Sequence, residues 1–252
     1  LELFLLGDGV ARHNPAQHDM RRRRADGTGK LTLEPVDELR RQGTEDLLVG
    51  RDAELALLES AAAQLASGRG AVVEVIGEPG IGKSRLVDEV VARAAGVAVL
   101  RCDCERTGAG TPYTPVRRML HQVLGISRAD TPAGAASRLK ERVTAVAPDV
   151  MPWLSLLGVV LDLNLPAGPE VADLEERFRV DRVAALVADL LARVLSSATV
   201  LVVEDAHLAD PASAGVLAAI ADRAQRLPWL LVATREDRPD GFVRGPRPIR
   251  IL

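Results

Sequence analysis

The chain has 252 residues with 32 Lys and Arg against 35 Asp and Glu, a formal net charge of -3, 47% hydrophobic residues and only 2% aromatics. That balance gives no global pull toward nucleic acid or an anionic membrane, and so few aromatics exclude a stacking platform for single strands. No apolar run reaches the roughly 20 residues that span a bilayer, and the length suits one large α/β domain, alone or with attached fragments.

At the start, "LELFLL" (residues 1–6) reads as a short strand and "GDG" as a turn. Residues 11–47 are polar and irregular, and the run Met20 to Arg24 ("MRRRR") is read as part of a solvated linker. The opening residues carry neither an initiator methionine nor a signal sequence, so a cytoplasmic piece of a longer protein is expected. The main domain is placed at residues 48–252. Its first helix is expected to be capped by Asp52, to bury Leu55, Leu58, Ala62 and Leu65, and to stop at Gly68.

"AVVEVI" (Ala71 to Ile76) is a predicted strand, with Glu74 an unexplained charge inside it. A glycine-rich loop follows, then a helix with Leu86, Val87, Val90 and Val91 on one face. "VAVLRC" is a second strand. Cys102 and Cys104 form C-x-C, the wrong separation for a redox C-x-x-C, and no second pair completes a zinc site; they read as reduced thiols in or beside that strand. Residues 105–170 are mostly helical, and one long helix is expected from Val171 to Ser196 with Leu174, Phe178, Leu186, Leu190 and Val194 in its apolar stripe. Thr199–Asp205 and Trp229–Asp237 are the third and fourth strands, a helix with an early Pro211 lies between them, and "RPIRIL" begins a fifth. Apolar strands alternating with helices predict an α/β fold, a parallel sheet covered on both faces.

"GEPGIGKS", Gly77 to Ser84, satisfies G-x-x-x-x-G-K-[ST] between a predicted strand and a predicted helix. In such a loop the glycines bring backbone N–H groups close to an anion. The helix start adds unpaired amides and the positive end of its dipole. Gly77, Glu78, Pro79, Gly80, Ile81, Gly82, Lys83, Ser84 and Arg85 are therefore assigned to the triphosphate of a nucleotide. Lys83 serves the β- and γ-phosphates and the Ser84 hydroxyl serves Mg²⁺. "LVVEDAHLADP" puts two acids at the carboxyl end of a strand, the edge where open α/β sheets bind ligands. Glu204 is assigned to Mg²⁺, and Asp205 to orienting or deprotonating a water that attacks the γ-phosphate. His207 has a catalytic and a structural reading. Arg235, closing the fourth strand, is placed to reach the γ-phosphate. The missing N-K-x-D base-reading motif disfavours GTP, and the paired acids favour water over a kinase acceptor. A non-hydrolysing module that keeps nucleotide as a structural ligand is the alternative. Direct nucleic-acid binding by this segment is not expected.

The ordered set "LLVGRDAELALLESA", "GEPGIGKSRLVDEV", "PYTPVRRML", "LVVEDAHLADPAS" and "LLVATRED" resembles the ATPase domain of bacterial STAND proteins, AAA-type P-loop NTPases of the ASCE class. Such domains occur in large LuxR-type regulators and behind class III adenylate/guanylate cyclase domains. The resemblance implies a sheet of order 5-1-4-3-2, ATP and ADP with Mg²⁺ as ligands, and an ATP switch that self-associates and resets by slow hydrolysis. It also implies that Val49, Gly50 and Arg51 lie near the adenine and that Arg235 senses phosphate. Residues 1–10 look like the last strand of a cyclase domain, and the family's helical lid is expected to be absent from this segment. Ala206 and Leu208 depart from the family's usual Leu and Trp, while both acids and His207 stand.

Overall fold

The computed structural model describes residues 50–94, 96–105, 111–237 and 248–251. The expected leading strand, the expected linker with its arginine run, and Val49 lie outside the described residues. Helix α1 (Asp52–Ala63) continues into a 3-10 turn, and Gly68 ends it in the left-handed conformation. Asp52 is the first helical residue rather than the cap. Arg51 occupies the cap position without a side-chain cap bond, and Asp52 instead adds favourable charge to the first turn. Strand β1 (Ala71–Ile76) leads through the glycine loop into α2 (Lys83–Arg93), and β2 (Ala98–Asp103) follows.

Helices α3 (Thr114–Leu124), α4 (Pro132–Val146), α5 (Leu154–Leu161), α6 (Pro169–Ala172) and α7 (Glu176–Val194) fill the middle of the chain. The single long helix expected from Val171 is thus two. Glu175 turns extended between them, so Val171 and Leu174 pack onto the core independently of the α7 axis. The first turns of α7 stand clear of the core. Phe178 is exposed there, with the Arg177 guanidinium 4.6 Å above its ring, while Leu186 and Leu190 are buried. Strand β3 (Thr199–Glu204), helix α8 (Pro211–Ala224), β4 (Trp229–Arg235) and β5 (Pro248–Arg250) complete the order.

The five strands form one sheet in the order β2-β3-β4-β1-β5, every neighbour parallel. This is the predicted 5-1-4-3-2 order. Strand alternation divides the core in two. On β3, Val200 and Val202 face Leu58, Leu86 and Val90 of α1 and α2; Leu201 and Val203 face the larger layer built from α3, α4, α5, α7 and α8. Because all strands run the same way, the glycine loop and the ends of β3 and β4 emerge at one edge of the sheet.

Candidate nucleotide-binding site

The loop after β1 takes its shape from backbone demands. Gly80 (φ 77°) and Gly82 (φ 99°) sit in the left-handed region that side chains avoid. Gly77 is crowded instead: a β-carbon there would lie 3.0 Å from the Ile251 carbonyl oxygen and 3.0 Å from Ile81 Cγ2. The first helical bond of α2 runs from Leu86 N–H to the Gly82 carbonyl (3.0 Å), so the amides before Leu86 precede the helical ladder. The buried Lys83 ammonium donates to the carbonyls of Gly77 (3.1 Å) and Glu78 (3.0 Å), which bends its long side chain back over the loop.

Facing the loop across the sheet edge are the two acids. Glu204 closes β3 and is buried; Asp205 follows in the left-handed region (φ 49°) and is exposed. The Ser84 hydroxyl donates to Glu204 Oε2 (3.0 Å). Thr234 of β4 donates to the same oxygen (2.6 Å), and Arg101 of β2 reaches Oε1 (3.4 Å) while also pairing with Asp88 of α2. A cleft of about 330 Å³ opens between these parts. It is lined on one side by Gly80, Gly82, Lys83, Ser84 and Arg85, and on the other by Asp205, His207 and Glu236.

The donor chemistry suits Mg²⁺ shared with a phosphate chain. A hydroxyl has one proton and two lone pairs, so Ser84 can donate to Glu204 and still offer an oxygen to a metal. Mg²⁺ takes oxygen ligands and relies on one or two carboxylates plus substrate phosphates rather than an all-protein cage. Among the described residues, no group of three or more His, Cys, Asp or Glu is arranged to hold a metal ion.

His207 is nearly enclosed. Its Nδ1 accepts from the Glu236 backbone N–H (3.4 Å) and its Nε2 lies 3.4 Å from Glu236 Oε1. It therefore ties the turn after β3 to the end of β4. Arg235 does not line the cleft: its guanidinium donates to Glu74 Oε2 (3.2 Å) and to the Glu236 carbonyl (3.1 Å). This accounts for the charge inside β1, since Glu74 and Arg235 form a mostly buried ion pair between adjacent strands. At the other end of the expected site, Gly50 has φ 75° and Arg51 pairs with Glu54 (3.1 Å). Cys102 and Cys104 are free and buried; burial pushes both thiols up, Cys104 to about 12 with help from the nearby Asp103 and Asp205 charges.

A family model described as the AAA ATPase domain matches residues 47–232. The chain belongs to the AAA ATPase domain family. The match spans the glycine loop, α2, the acid-bearing end of β3 and most of β4. No match was found among curated proteins. Membership in this family implies nucleotide binding, usually with Mg²⁺, and the sheet order and loop agree with it. Among the described residues, no helix is long and apolar enough to cross a membrane.

Sequence reasoning missed Thr234 and Arg101. Each lies on a strand beside β3, and each touches the first acid. The available signal was position: once β3 and β4 are parallel neighbours, a hydroxyl at the end of one falls beside a carboxylate at the end of the other.

Proposed function

We propose that this AAA ATPase domain is an ATP-binding, slowly ATP-hydrolysing switch of the STAND type, working in a bacterial signal-transduction or transcription-regulatory protein. One observation carries the reading: the Ser84–Glu204 hydrogen bond joins the glycine loop to the acid strand, with Lys83 and Asp205 on opposite walls of the same cleft. Amides of the loop and Lys83 bind the triphosphate. Ser84 and Glu204 would hold Mg²⁺, which when bound would neutralise charge on the phosphate oxygens. Asp205 is exposed to the cleft, where it takes the proton of an attacking water. The water oxygen bonds to the γ-phosphorus as the bond to the β–γ bridging oxygen breaks, giving ADP and phosphate.

In this reading residues 48–252 are the ATPase core, residues 11–47 are a linker, and residues 1–10 end an upstream domain. Gly50 and Arg51 approach the adenine together with Val49. Arg235 senses phosphate, with Glu74 as its partner in the state described here. The parent protein is cytoplasmic and self-associates in the ATP state, and this segment makes no direct contact with nucleic acid.

The test is ATP and ADP binding with Mg²⁺, followed by phosphate release, for wild type, Lys83→Ala and Asp205→Asn. Lys83→Ala is expected to lose nucleotide binding. Asp205→Asn is expected to keep binding and lose turnover. A wild type that binds neither nucleotide refutes the reading. A wild type no faster than Asp205→Asn in a single turnover leaves the nucleotide as a structural ligand.

A further inference from the structure

The two edges of the sheet differ in length. As described, β5 is three residues and begins on Pro248; short strands and prolines are common ways for an edge to avoid adding a further strand. β2, at the other edge, is six residues without a proline. Its backbone groups alternate in direction. The Cys104 N–H just past the strand donates to the Glu204 carbonyl (3.0 Å), so in the parallel register Leu100 and Cys102 turn their N–H and C=O groups toward β3. Val99, Arg101 and Asp103 therefore turn theirs outward. Side chains of α3 reach that side. Gln122 Nε2 donates to the Arg101 carbonyl (2.8 Å). Arg118, one helical turn earlier, brings Nη1 to 3.5 Å from the Asp103 carbonyl while donating to Glu105 Oε1 (2.8 Å). The same Gln122 nitrogen also donates to the Arg118 carbonyl (3.3 Å), so both of its protons are engaged.

We infer that α3 closes the edge of β2: Gln122, assisted by Arg118, occupies the outward carbonyls that an added strand would need, and so keeps β2 of a second copy of this chain from pairing there. The inference concerns the sheet rather than the cleft and holds whether or not nucleotide is hydrolysed. Water would satisfy exposed carbonyls without ordering any side chain, whereas holding a glutamine and an arginine in place costs rotamer freedom. Here two successive outward carbonyls are met by side chains four residues apart on one helix. Arg101 is held from the other face as well, since its guanidinium pairs with Asp88 of α2. The middle of the strand is thus fixed by α2 on one side of the sheet and by α3 on the other. The edge itself identifies the partner kept out. β2 of another copy presents the same outward groups, and a two-fold axis at Arg101 would pair them antiparallel, with Val99 against Asp103.

Gln122→Met removes the donor at similar length and helix propensity, Gln122→Glu removes it at nearly the same shape, and Gln122→Lys supplies a donor again. Each is made in the 252-residue chain and compared with wild type without nucleotide. Sedimentation velocity over a concentration series reads self-association, and hydrogen exchange reads the backbone of residues 98–104. The methionine and glutamate variants are each expected to associate at least about fivefold more tightly than wild type, the scale of one hydrogen bond. Exchange in residues 98–104 is expected to slow at the concentrations where they associate. Gln122→Lys is expected to match wild type in both measurements. Trp229 fluorescence melts identify a variant that does not fold; should that be Gln122→Met, Gln122→Glu is read in its place. Wild-type association in the donor-free variants overturns the inference. Tighter association with unchanged exchange in residues 98–104 also overturns it, because the contact then lies elsewhere. So does a lysine variant that associates as strongly as the donor-free ones, since the effect would then come from side-chain packing and not from the lost donor.

Discussion

Replacing Glu74 by leucine removes the carboxylate that pairs with the Arg235 guanidinium in a nearly dry site between β1 and β4. The two charges lie 3.2 Å apart, with side chains 4% and 13% exposed. At an effective dielectric of about 20, that separation corresponds to about 5 kcal/mol of attraction, before the cost of taking both ions out of water. Breaking such a pair from one side typically costs about 3–5 kcal/mol, because the survivor is left uncompensated. Arg235 keeps its bond to the Glu236 carbonyl, so the lower figure is appropriate: about 3 kcal/mol for Glu74→Leu. For a domain of this size that is a fall of about 6–12 °C in the melting midpoint. Arg235→Met should lose at least as much, since Glu74 is the more deeply buried partner. The double variant Glu74→Leu/Arg235→Met should recover most of the loss, as buried pairs exchanged for apolar residues often do. Denaturant unfolding followed by the fluorescence of the fully buried Trp229 measures all four corners of the cycle. Losses that simply add in the double variant would refute the reasoning, because they would mean that the two charges do not depend on each other.

Other outcomes test the frame around the site. Gly70→Ala should unfold the domain or cost about 3 kcal/mol or more, since its new methyl would fall 1.8 Å from the Ala224 oxygen, 2.1 Å from that of Leu227 and 2.7 Å from that of Trp229, and circular dichroism melts check it. Asp210→Ala should cost about 2 kcal/mol by the same melts, because the buried carboxylate accepts from Ser213 N–H (2.9 Å), Ser213 Oγ (2.6 Å) and Tyr113 N–H (3.3 Å), joining the starts of α3 and α8. The thiols should resist a disulfide reagent in the native state and react on unfolding. The folded chain keeps the Cys104 proton up to about pH 12 whereas an unfolded thiol releases it near 9.0, so the stabilising contribution is full below about pH 9 and lost as pH rises toward 12, which alkaline denaturation curves measure.

The parts of this molecule legible in the sequence are those dictated locally. Gly80 and Gly82 must be glycine because of their own backbone angles, and Lys83 and Ser84 follow at a spacing set by the helix start, so the loop could be read without knowing any neighbour. Strands β1 and β3 showed as apolar runs, and the sheet order followed from the family resemblance. What could not be read depends on pairing between strands. Glu74 is an unexplained charge in β1 until β4 lies beside it with Arg235 at hand. The Thr234 hydroxyl finds its partner only through β3, which brings Glu204 within 2.6 Å. Element ends moved for a similar reason: β3 stops at Glu204 rather than Asp205 because Asp205 leaves the extended region to meet Thr234, a local reversal that the residue type alone does not announce. The helix break at Glu175 was hidden too, since a good helix-forming composition runs straight through it.

The end of β4 holds both sides of the site together because a strand sends successive side chains to opposite faces. Thr234 turns toward α2 and bonds the acids; Arg235 turns toward the other layer and bonds Glu74 of β1; Glu236, past the strand, holds both nitrogens of His207. Three consecutive residues thus connect β1, whose end begins the glycine loop, to β3, whose end carries the acids. The Gly77 amide closes the circuit by donating to the Arg235 carbonyl (3.2 Å). Lys83 and Asp205 consequently sit on walls joined by a short run of hydrogen bonds and one ion pair. The ion pair on one face and the acids on the other are thus held by adjacent residues of a single extended strand.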